Sequence, residues 1–425
     1  MLCLSALLWK ERKMGLNIIE SIFFFYMFVG LYMLLLLVFI YLPNRERLFA
    51  YPRGKPVPVS IVVPCYNESS RIIGALDALL ALDYPREMLE IIVVDDRSTD
   101  DSASVVRSYA KKHSCVRLIV NKRNSGGAAV PTNIGIKAAR FPYVAVADAD
   151  SAPERDSLRK MIGFIQQDTR VAAVTCAVLA KPGTTFIQRL QSIEYVVIAW
   201  SRKLLDLVDS VYVTPGPFAL YRKDVLIKVG LFDENNMTQD IEIVWRLLSR
   251  GYQARMCLAA AVHSATPNRF SAWFRQRVRW NVGGTQTLLK YRRLFFRRGM
   301  LGAFILPFFS FSLLLGLVGL GIFSYLTMRR ILVFYLTSRY SLYADSALLH
   351  LQDITFTPSI LNFFGIVLFI LGALFTFTAI SIMKSRYASR HNVFNILFYL
   401  IVYLTVYPTI MITALYRLIR GTYSW

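Results

Sequence analysis

The segment VSIVVPCYNE, residues 59–68, joins a short β-branched run to a polar turn. Such a run predicts a β-strand, and the periodicity that follows it predicts a helix at 69–82. The same unit recurs downstream, and short strands separated by helices predict a parallel sheet with helices on both faces. The expected strands are 59–63, 91–94, 116–120 and 143–147, and the further helices are 101–112 and 128–139.

Polar clusters follow the carboxyl ends of three of these strands. Open α/β sheets bind ligands at that edge. Two carboxylates separated by one residue can share a divalent cation that also holds a diphosphate, although a lone acidic pair is more often a turn or capping group. The clusters are Pro64, Tyr66, Asn67 and Glu68 after the first strand, Asp95 and Asp96 after the second, and Asp148 and Asp150 after the fourth.

Two further motifs lie downstream of the acidic clusters. Thr238 is placed to cap an amphipathic helix whose first turn contains Asp240, where the helix dipole favours a carboxylate. As a functional residue, Asp240 would be a general base that removes a proton from an acceptor hydroxyl. Gln276, Arg279 and Trp280 share one helical face at i, i+3 and i+4. An arginine there could neutralise a leaving diphosphate, and a tryptophan could stack on a sugar ring.

The composition places part of the chain in lipid. Of 425 residues 55% are hydrophobic, the net charge is +22 and the mean hydropathy is +0.44, values too apolar for a purely soluble protein. Runs at 18–42, 301–327, 360–383 and 393–416 reach the roughly 20 residues that cross a bilayer as a helix. Five scattered cysteines without a CxxC pair suggest neither a zinc knuckle nor a disulfide framework.

The basic residues near the spans orient the chain. They follow the first span, precede the second and lie between the third and fourth, which places the intervening domain in the cytoplasm. Residues 269–298 carry nine basic and no acidic side chains, as expected of an amphipathic segment on an anionic leaflet. The remaining expected segments are an N-terminal segment at 1–17, a soluble domain at 43–268, basic interface helices at 269–300, an extracytoplasmic loop at 328–359 and a C-terminal tail at 417–425.

Taken in order, the motifs resemble the membrane-embedded family 2 glycosyltransferases of GT-A fold, which include cellulose, chitin, hyaluronan and poly-N-acetylglucosamine synthases. The resemblance covers about residues 57–280. It implies an α/β GT-A domain, Rossmann-like and with a mainly parallel sheet, inserted between transmembrane helices of the cell membrane. The motifs are PCYNE at 64–68, VDD at 94–96, DAD at 148–150, TPGPF at 214–218, TQD at 238–240 and QRVRW at 276–280.

The resemblance also implies a role for each motif. Two positions depart from the family pattern: Gln239 replaces the glutamate of a TED motif, and Gly127 replaces a lysine that could contact phosphate. The implied roles are nucleotide binding for Pro64, Tyr66, Asn67, Glu68, Asp95, Asp96 and Asp148, binding of Mg²⁺ or Mn²⁺ for Asp148 and Asp150, general base for Asp240, contact with diphosphate and acceptor for Gln276, Arg279 and Trp280, and lining of the acceptor site for Gly216, Pro217 and Phe218.

The expected activity is inverting transfer of a sugar from a nucleotide-sugar, with UDP as the family default, to a growing polysaccharide or oligosaccharide. Transfer of a single sugar to a polyprenyl phosphate, polyprenyl diphosphate or glycolipid is the alternative. A transporter with a nucleotide-binding domain is disfavoured, because no GxxxxGK[ST] phosphate loop occurs. The expected partners are the donor, the acceptor and the bilayer, with no nucleic acid; a second copy or an accessory export protein is left open.

Overall fold

The computed structural model describes residues 18–343, 360–387 and 392–422. These described residues form two compact units, one drawn from residues 1–39 and 311–377 and one drawn from residues 40–310 and 378–425. The second unit contains the sheet and all the predicted site residues.

The described elements follow the predicted alternation of strands and helices. The strands are β1 Val59–Cys65, β2 Leu89–Asp95, β3 Val116–Val120, β4 Tyr143–Val146, β5 Ala152–Pro153, β6 Val171–Ala180, β7 Ala219–Arg222 and β8 Gln253–Ser264. The α-helices are α1 Ile18–Asn44, α2 Ile72–Leu80, α3 Ser102–Ala110, α4 Ala129–Ala138, α5 Ser157–Gln167, α6 Phe186–Asp206, α7 Lys223–Val229, α8 Gln239–Ser249, α9 Phe270–Tyr291, α10 Leu306–Tyr343, α11 Ile360–Tyr387, α12 Val393–Phe398 and α13 Tyr407–Arg420.

The strands form one mixed sheet with the order β3-β2-β1-β4-β7-β6-β8-β5 in the part of the chain that the structure describes. The pairs β3–β2, β2–β1, β1–β4 and β6–β8 are parallel. Strand β7 is antiparallel to both β4 and β6, and the short β5 is antiparallel to β8. The expected α/β fold with a mainly parallel sheet is therefore confirmed.

The apolar runs form strands because both faces of the sheet are covered. Strand β2 is buried along its whole length, and β1 is buried at every residue except Pro64, which is partly exposed. Such near-continuous Val and Ile runs are typical of parallel strands between helices. Helix α6 starts with a capping box in which the Thr185 and Gln188 side chains each bond the other's backbone.

The register brings the predicted clusters to one edge of the sheet. Cys65 pairs with Asp95, and Val62 pairs with Val146, so β1, β2 and β4 end at the same edge. Val146 also pairs with Ala219, the first residue of the antiparallel β7. The residues that enter β7 therefore lie beside the residues that leave β4.

The membrane predictions are met in part. Three described helices are long and apolar enough to cross a membrane, with spans at Phe24–Arg47, Leu301–Gly321 and Ile366–Met383. The predicted span at 393–416 is a bent pair, Val393–Tyr403 and Tyr407–Arg420, whose axes differ by 44°.

Several predicted boundaries differ from the structure. Helix α10 continues to Tyr343, although a loop was expected from residue 328, because Arg329 and Arg330 end the apolar run but are good helix formers, and neither Gly nor Pro follows before Tyr343. Helix α13 likewise extends to Arg420, into the predicted tail. The predicted N-terminal segment 1–17 and residues 344–359 of the predicted loop lie outside the described residues.

Candidate active site

Three carboxylates interact electrostatically near the edge where β4 ends, those of Asp148, Asp150 and Asp240. Asp148 and Asp150 lie in the turn after β4, where the Ser151 amide donates to the Asp148 carbonyl oxygen at 3.1 Å. Burial raises the pKa of the Asp148 carboxyl to about 7, and the negative charges of Asp150 and Asp240 add to the rise. The positive charge of Arg279 opposes the rise. The site thus holds more negative than positive charge and is suited to a cation.

Asp240 is held by backbone contacts at the start of α8. Its Oδ1 accepts the Ile241 amide at 3.1 Å, and its carbonyl oxygen accepts the Thr214 amide at 3.4 Å. Burial raises the pKa of Asp240, while the guanidinium groups of Arg279 and Arg202 act to lower it. Thr238 occupies the expected cap position, but its side chain makes no capping hydrogen bond.

The segment before β7 packs directly against the acidic turn. A Cβ atom added to Gly216 would lie 2.8 Å from Asp148 Oδ1, so only glycine fits there without a shift of the carboxylate. Phe218 is fully buried, and its carbonyl oxygen accepts the Cys176 thiol at 3.5 Å. The Phe218 side chain is therefore part of the core, whereas Gly216 packs against Asp148.

The two acidic residues after β2 have different environments. The Asp96 carboxylate accepts hydrogen bonds from the Asn121 side chain at 2.7 Å and from the Ser125 amide and hydroxyl at 2.9 and 2.6 Å. Asp95 Oδ2 accepts the Ser98 amide at 3.2 Å, but its buried Oδ1 has no hydrogen-bond partner among the described residues. Asp95 thus retains an acceptor for a ligand, whereas Asp96 organises the neighbouring loop.

The turn after β1 lies next to Asp95. Asn67 adopts a positive φ of 54°, and its Oδ1 accepts the Thr99 amide at 2.8 Å. The Glu68 amide donates to Ser102 Oγ at 2.8 Å. Tyr66 is 47% exposed, so its ring is accessible for stacking against a planar ligand.

Helix α9 holds the segment that leads into Asp240. A Cβ atom at Gly283 would lie 2.3 Å from Thr238 Oγ1, which shows how closely the helix approaches this segment. Gln286 Oε1 accepts the Met237 amide at 3.0 Å, and a further hydrogen bond joins Asn236 to the same helix. Because Arg279 is on this helix, the packing of α9 against residues 236–238 positions Arg279 relative to Asp240.

Sequence reasoning missed Gly283 and Arg202. A Gly-Gly pair inside a basic helix is a signal for close helix packing, since glycine otherwise weakens a helix. Arg202 is on α6 and is buried, and its Nε and Nη1 have no hydrogen-bond partner within the described part of the chain. A charged residue on the buried face of an amphipathic helix was the available signal.

Known proteins resemble this chain in sequence and in fold. The sequence model of the family described as Glycosyltransferase like family 2 matches residues 56–283. Poly-beta-1,6-N-acetyl-D-glucosamine synthase of Staphylococcus epidermidis is 30% identical over 250 residues, which are 58% of this chain and 59% of that protein. The synthase of the same name from Staphylococcus aureus strain COL is 31% identical over 233 residues, 55% of this chain and 56% of that protein.

A solved structure extends the likeness beyond the sheet. Mannosyltransferase PcManGT from Pyrobaculum calidifontis, in complex with GDP-Man and Mn²⁺, aligns at a TM-score of 0.62 and 19% identity, over 96% of this chain and 100% of that chain. At this identity the likeness shows the fold alone.

The fold and the site define a glycosyltransferase of GT-A fold. Because the family model matches more than half of its residues, the chain belongs to glycosyltransferase family 2. It spans less than two thirds of the length of the curated relatives it matches.

The contact between Gly283 and Thr238 gives a direct test of this packing. We expect Gly283→Ala to lower the free energy of unfolding by about 1–3 kcal/mol, because the added methyl group overlaps the Thr238 backbone. The adjacent Gly284→Ala is the matched control, since no atom lies within 4 Å of its added Cβ. Thermal unfolding in detergent, followed by circular dichroism, compares the two variants. Equal melting temperatures would contradict the packing described for α9.

Proposed function

We propose that the chain is an inverting glycosyltransferase that moves a sugar from a nucleotide-sugar, with UDP as the expected nucleotide, to a hydroxyl of a growing polysaccharide or oligosaccharide. The observation that carries the proposal is the convergence of Asp148, Asp240 and Arg279 at the carboxyl edge of the sheet. The relatives named as poly-beta-1,6-N-acetyl-D-glucosamine synthases support a polymeric product.

In the proposed reaction Asp240 acts as the general base. Its carboxylate removes the proton from the acceptor hydroxyl as that oxygen attacks the anomeric carbon of the donor. The bond from this carbon to the diphosphate oxygen breaks on the opposite face, so the anomeric configuration inverts. The guanidinium of Arg279 offsets the negative charge that develops on the leaving diphosphate.

Asp148 and Asp150 are the proposed ligands of Mg²⁺ or Mn²⁺. Among the described residues no group of three or more His, Cys, Asp or Glu side chains is arranged to hold a metal ion. One or two carboxylates together with substrate phosphates are, however, the usual ligand set for Mg²⁺. The excess of negative charge around Asp148 fits such an ion, which when bound would stabilise the charge of the diphosphate.

The loops after β1 and β2 are proposed to bind the nucleoside. The unpartnered Oδ1 of Asp95 can accept a hydrogen bond from the base or the ribose, and the exposed ring of Tyr66 can stack on the base. Asp96 would act by holding the loop that contains Ser125. We place this domain on the cytoplasmic side of the membrane, where the basic residues flanking the spans are retained.

The test of the function is sugar transfer by the purified protein in nanodiscs with Mg²⁺ or Mn²⁺ and a panel of UDP-sugars. We expect nucleotide release together with a product of high molecular weight, and we expect Asp240→Asn to abolish both because the base is lost. A product limited to one sugar on an added polyprenyl phosphate or glycolipid would establish the lipid-acceptor alternative. Absence of Asp240-dependent release with every donor would refute the proposed function.

The charge near Asp240 predicts a shift in the pH profile. The base must be ionised, so kcat/KM falls as the pH is lowered through the pKa of Asp240. Since the positive charge of Arg202 lowers this pKa, Arg202→Met should raise it and move the acid limb to higher pH. Arg159→Met is the control, because Arg159 forms an exposed ion pair with Asp83. An unchanged acid limb in Arg202→Met would show that the Arg202 charge does not act on the base.

The contact of Gly216 with Asp148 predicts a loss of metal affinity. Gly216→Ala pushes the Asp148 carboxylate out of position, and we expect Mn²⁺ binding in the presence of UDP to weaken at least about tenfold. Electron paramagnetic resonance of free Mn²⁺ measures the affinity. Gly74→Ala on α2 is the control, because its added Cβ meets no atom within 4 Å. Wild-type affinity in Gly216→Ala would exclude Asp148 as a ligand.

A further inference from the structure

The carboxylate of Glu194, on α6, is buried and accepts four hydrogen bonds. Oε1 accepts from Arg277 Nε at 3.1 Å and from the Tyr407 hydroxyl. Oε2 accepts from Arg277 Nη2 at 2.5 Å and from the Tyr403 hydroxyl at 2.6 Å. A carboxylate has about four lone-pair positions, so these donors satisfy Glu194 completely.

Two of the four donors come from the bent C-terminal pair of helices. Tyr403 ends a π-helical turn, Tyr399–Tyr403, and Tyr407 is the first residue of α13. The 3₁₀ turn Leu404–Val406 lies between them. The Tyr403 ring also packs on Trp273 of α9, with ring centroids 4.8 Å apart. The break between these two helices thus directs both tyrosine hydroxyls to the Glu194 carboxylate.

Arg277 joins this carboxylate to the candidate active site. Its Nη1 donates to Gln276 Oε1 at 2.6 Å, and its guanidinium lies 4.0 Å from the ring centroid of Trp280. Gln276 and Trp280 are the residues expected to contact the diphosphate and the acceptor. Because a guanidinium is planar and rigid, its orientation on Glu194 also fixes its contacts with these two side chains.

We propose that Glu194, Arg277, Tyr403 and Tyr407 form a positioning cluster that orients Gln276 and Trp280 toward the acceptor. The bent C-terminal segment is then a working part of the active site as well as a candidate membrane element. This inference rests on the proposed function for the roles of Gln276 and Trp280.

Stability alone does not account for the cluster. Taking two charges out of water is costly, and buried ion pairs can often be replaced by apolar side chains of similar volume without loss of stability. The cluster joins residues separated by 83, 209 and 213 positions, and it adds two hydroxyl donors to the ion pair of Glu194 and Arg277. What it provides is a fixed orientation of Arg277.

The test compares Tyr403→Phe, Tyr407→Phe and the double variant in the full chain in nanodiscs. Each change removes one donor to Glu194 and keeps the aromatic ring, so the carboxylate that orients Arg277 loses one restraint while the ring packing is kept. We expect kcat/KM for the acceptor to fall about 10- to 100-fold in the double variant, since small misplacements of positioning groups have effects of this size. The KM for the donor should change less than about twofold, because donor-binding loops are untouched.

Two matched controls separate positioning from stability. Tyr84→Phe removes another partly buried hydroxyl, which bonds the Val57 backbone at 2.7 and 2.6 Å, and should leave all kinetic constants unchanged. Asp206→Asn breaks a buried ion pair on the same helix as Glu194, with Lys203 at 2.7 Å. This variant should have a lower melting temperature. When assayed below that temperature, it should have an unchanged acceptor kcat/KM.

Each result decides the inference. A fall in acceptor kcat/KM without a matching change in donor KM supports the positioning cluster. Wild-type acceptor kinetics in the double variant would overturn the inference. It would also be overturned if, at equal melting temperature, the double variant lost no more acceptor kcat/KM than Asp206→Asn. If the double variant does not fold, the two single variants decide by the same criterion. Failure of the proposed function is distinct, because the wild-type protein would then lack Asp240-dependent transfer.

Discussion

The reversal of β7 is the constraint on which the site depends. Because β7 is antiparallel to β4, the residues entering β7 meet the residues leaving β4 at one edge of the sheet. A parallel strand in this position would place Gly216 at the opposite edge, away from Asp148. The reversal also brings Thr214, whose amide donates to the Asp240 carbonyl oxygen, beside the first turn of α8. The antiparallel direction of this one short strand therefore sets the relative positions of the acidic turn, the glycine that packs on it and the base Asp240.

The charges of this edge are arranged differently from those of the structural core. The buried carboxylate of Glu90 accepts hydrogen bonds from Ser60 at 2.7 Å and from Arg117 at 3.0 Å. Asp148, in contrast, faces the like charges of Asp150 and Asp240, and its pKa is raised first by burial and further by those like charges. Functional sites are where a fold departs from such local rules. A bound cation would relieve this repulsion at Asp148.

The parts of the fold that could be predicted are those that depend on local sequence patterns. The β-branched runs gave the first four strands to within two residues at each end, and the polar clusters were expected where those strands end. Strand β7, Ala219–Arg222, has only four residues and no alternation, so neither its existence nor its direction was predictable. Phe218 was expected to line the acceptor site because its segment resembles the family pattern, but its side chain is fully buried, and burial of this kind cannot be inferred from a motif.

The C-terminal segment shows why hydropathy alone was insufficient. Residues 393–416 have the length and composition of a membrane span, but a hydropathy value contains no information about the direction of a tyrosine hydroxyl. The structure uses Tyr403 and Tyr407 to satisfy Glu194, a residue more than 200 positions earlier in the chain. The compact unit that contains the sheet accordingly includes residues 378–425, whereas the expected soluble domain ended at 268. A domain boundary placed by hydrophobic runs separates Tyr403 and Tyr407 from Glu194, although the buried Glu194 carboxylate bonds both hydroxyls. A description of the active site therefore has to include the C-terminal segment.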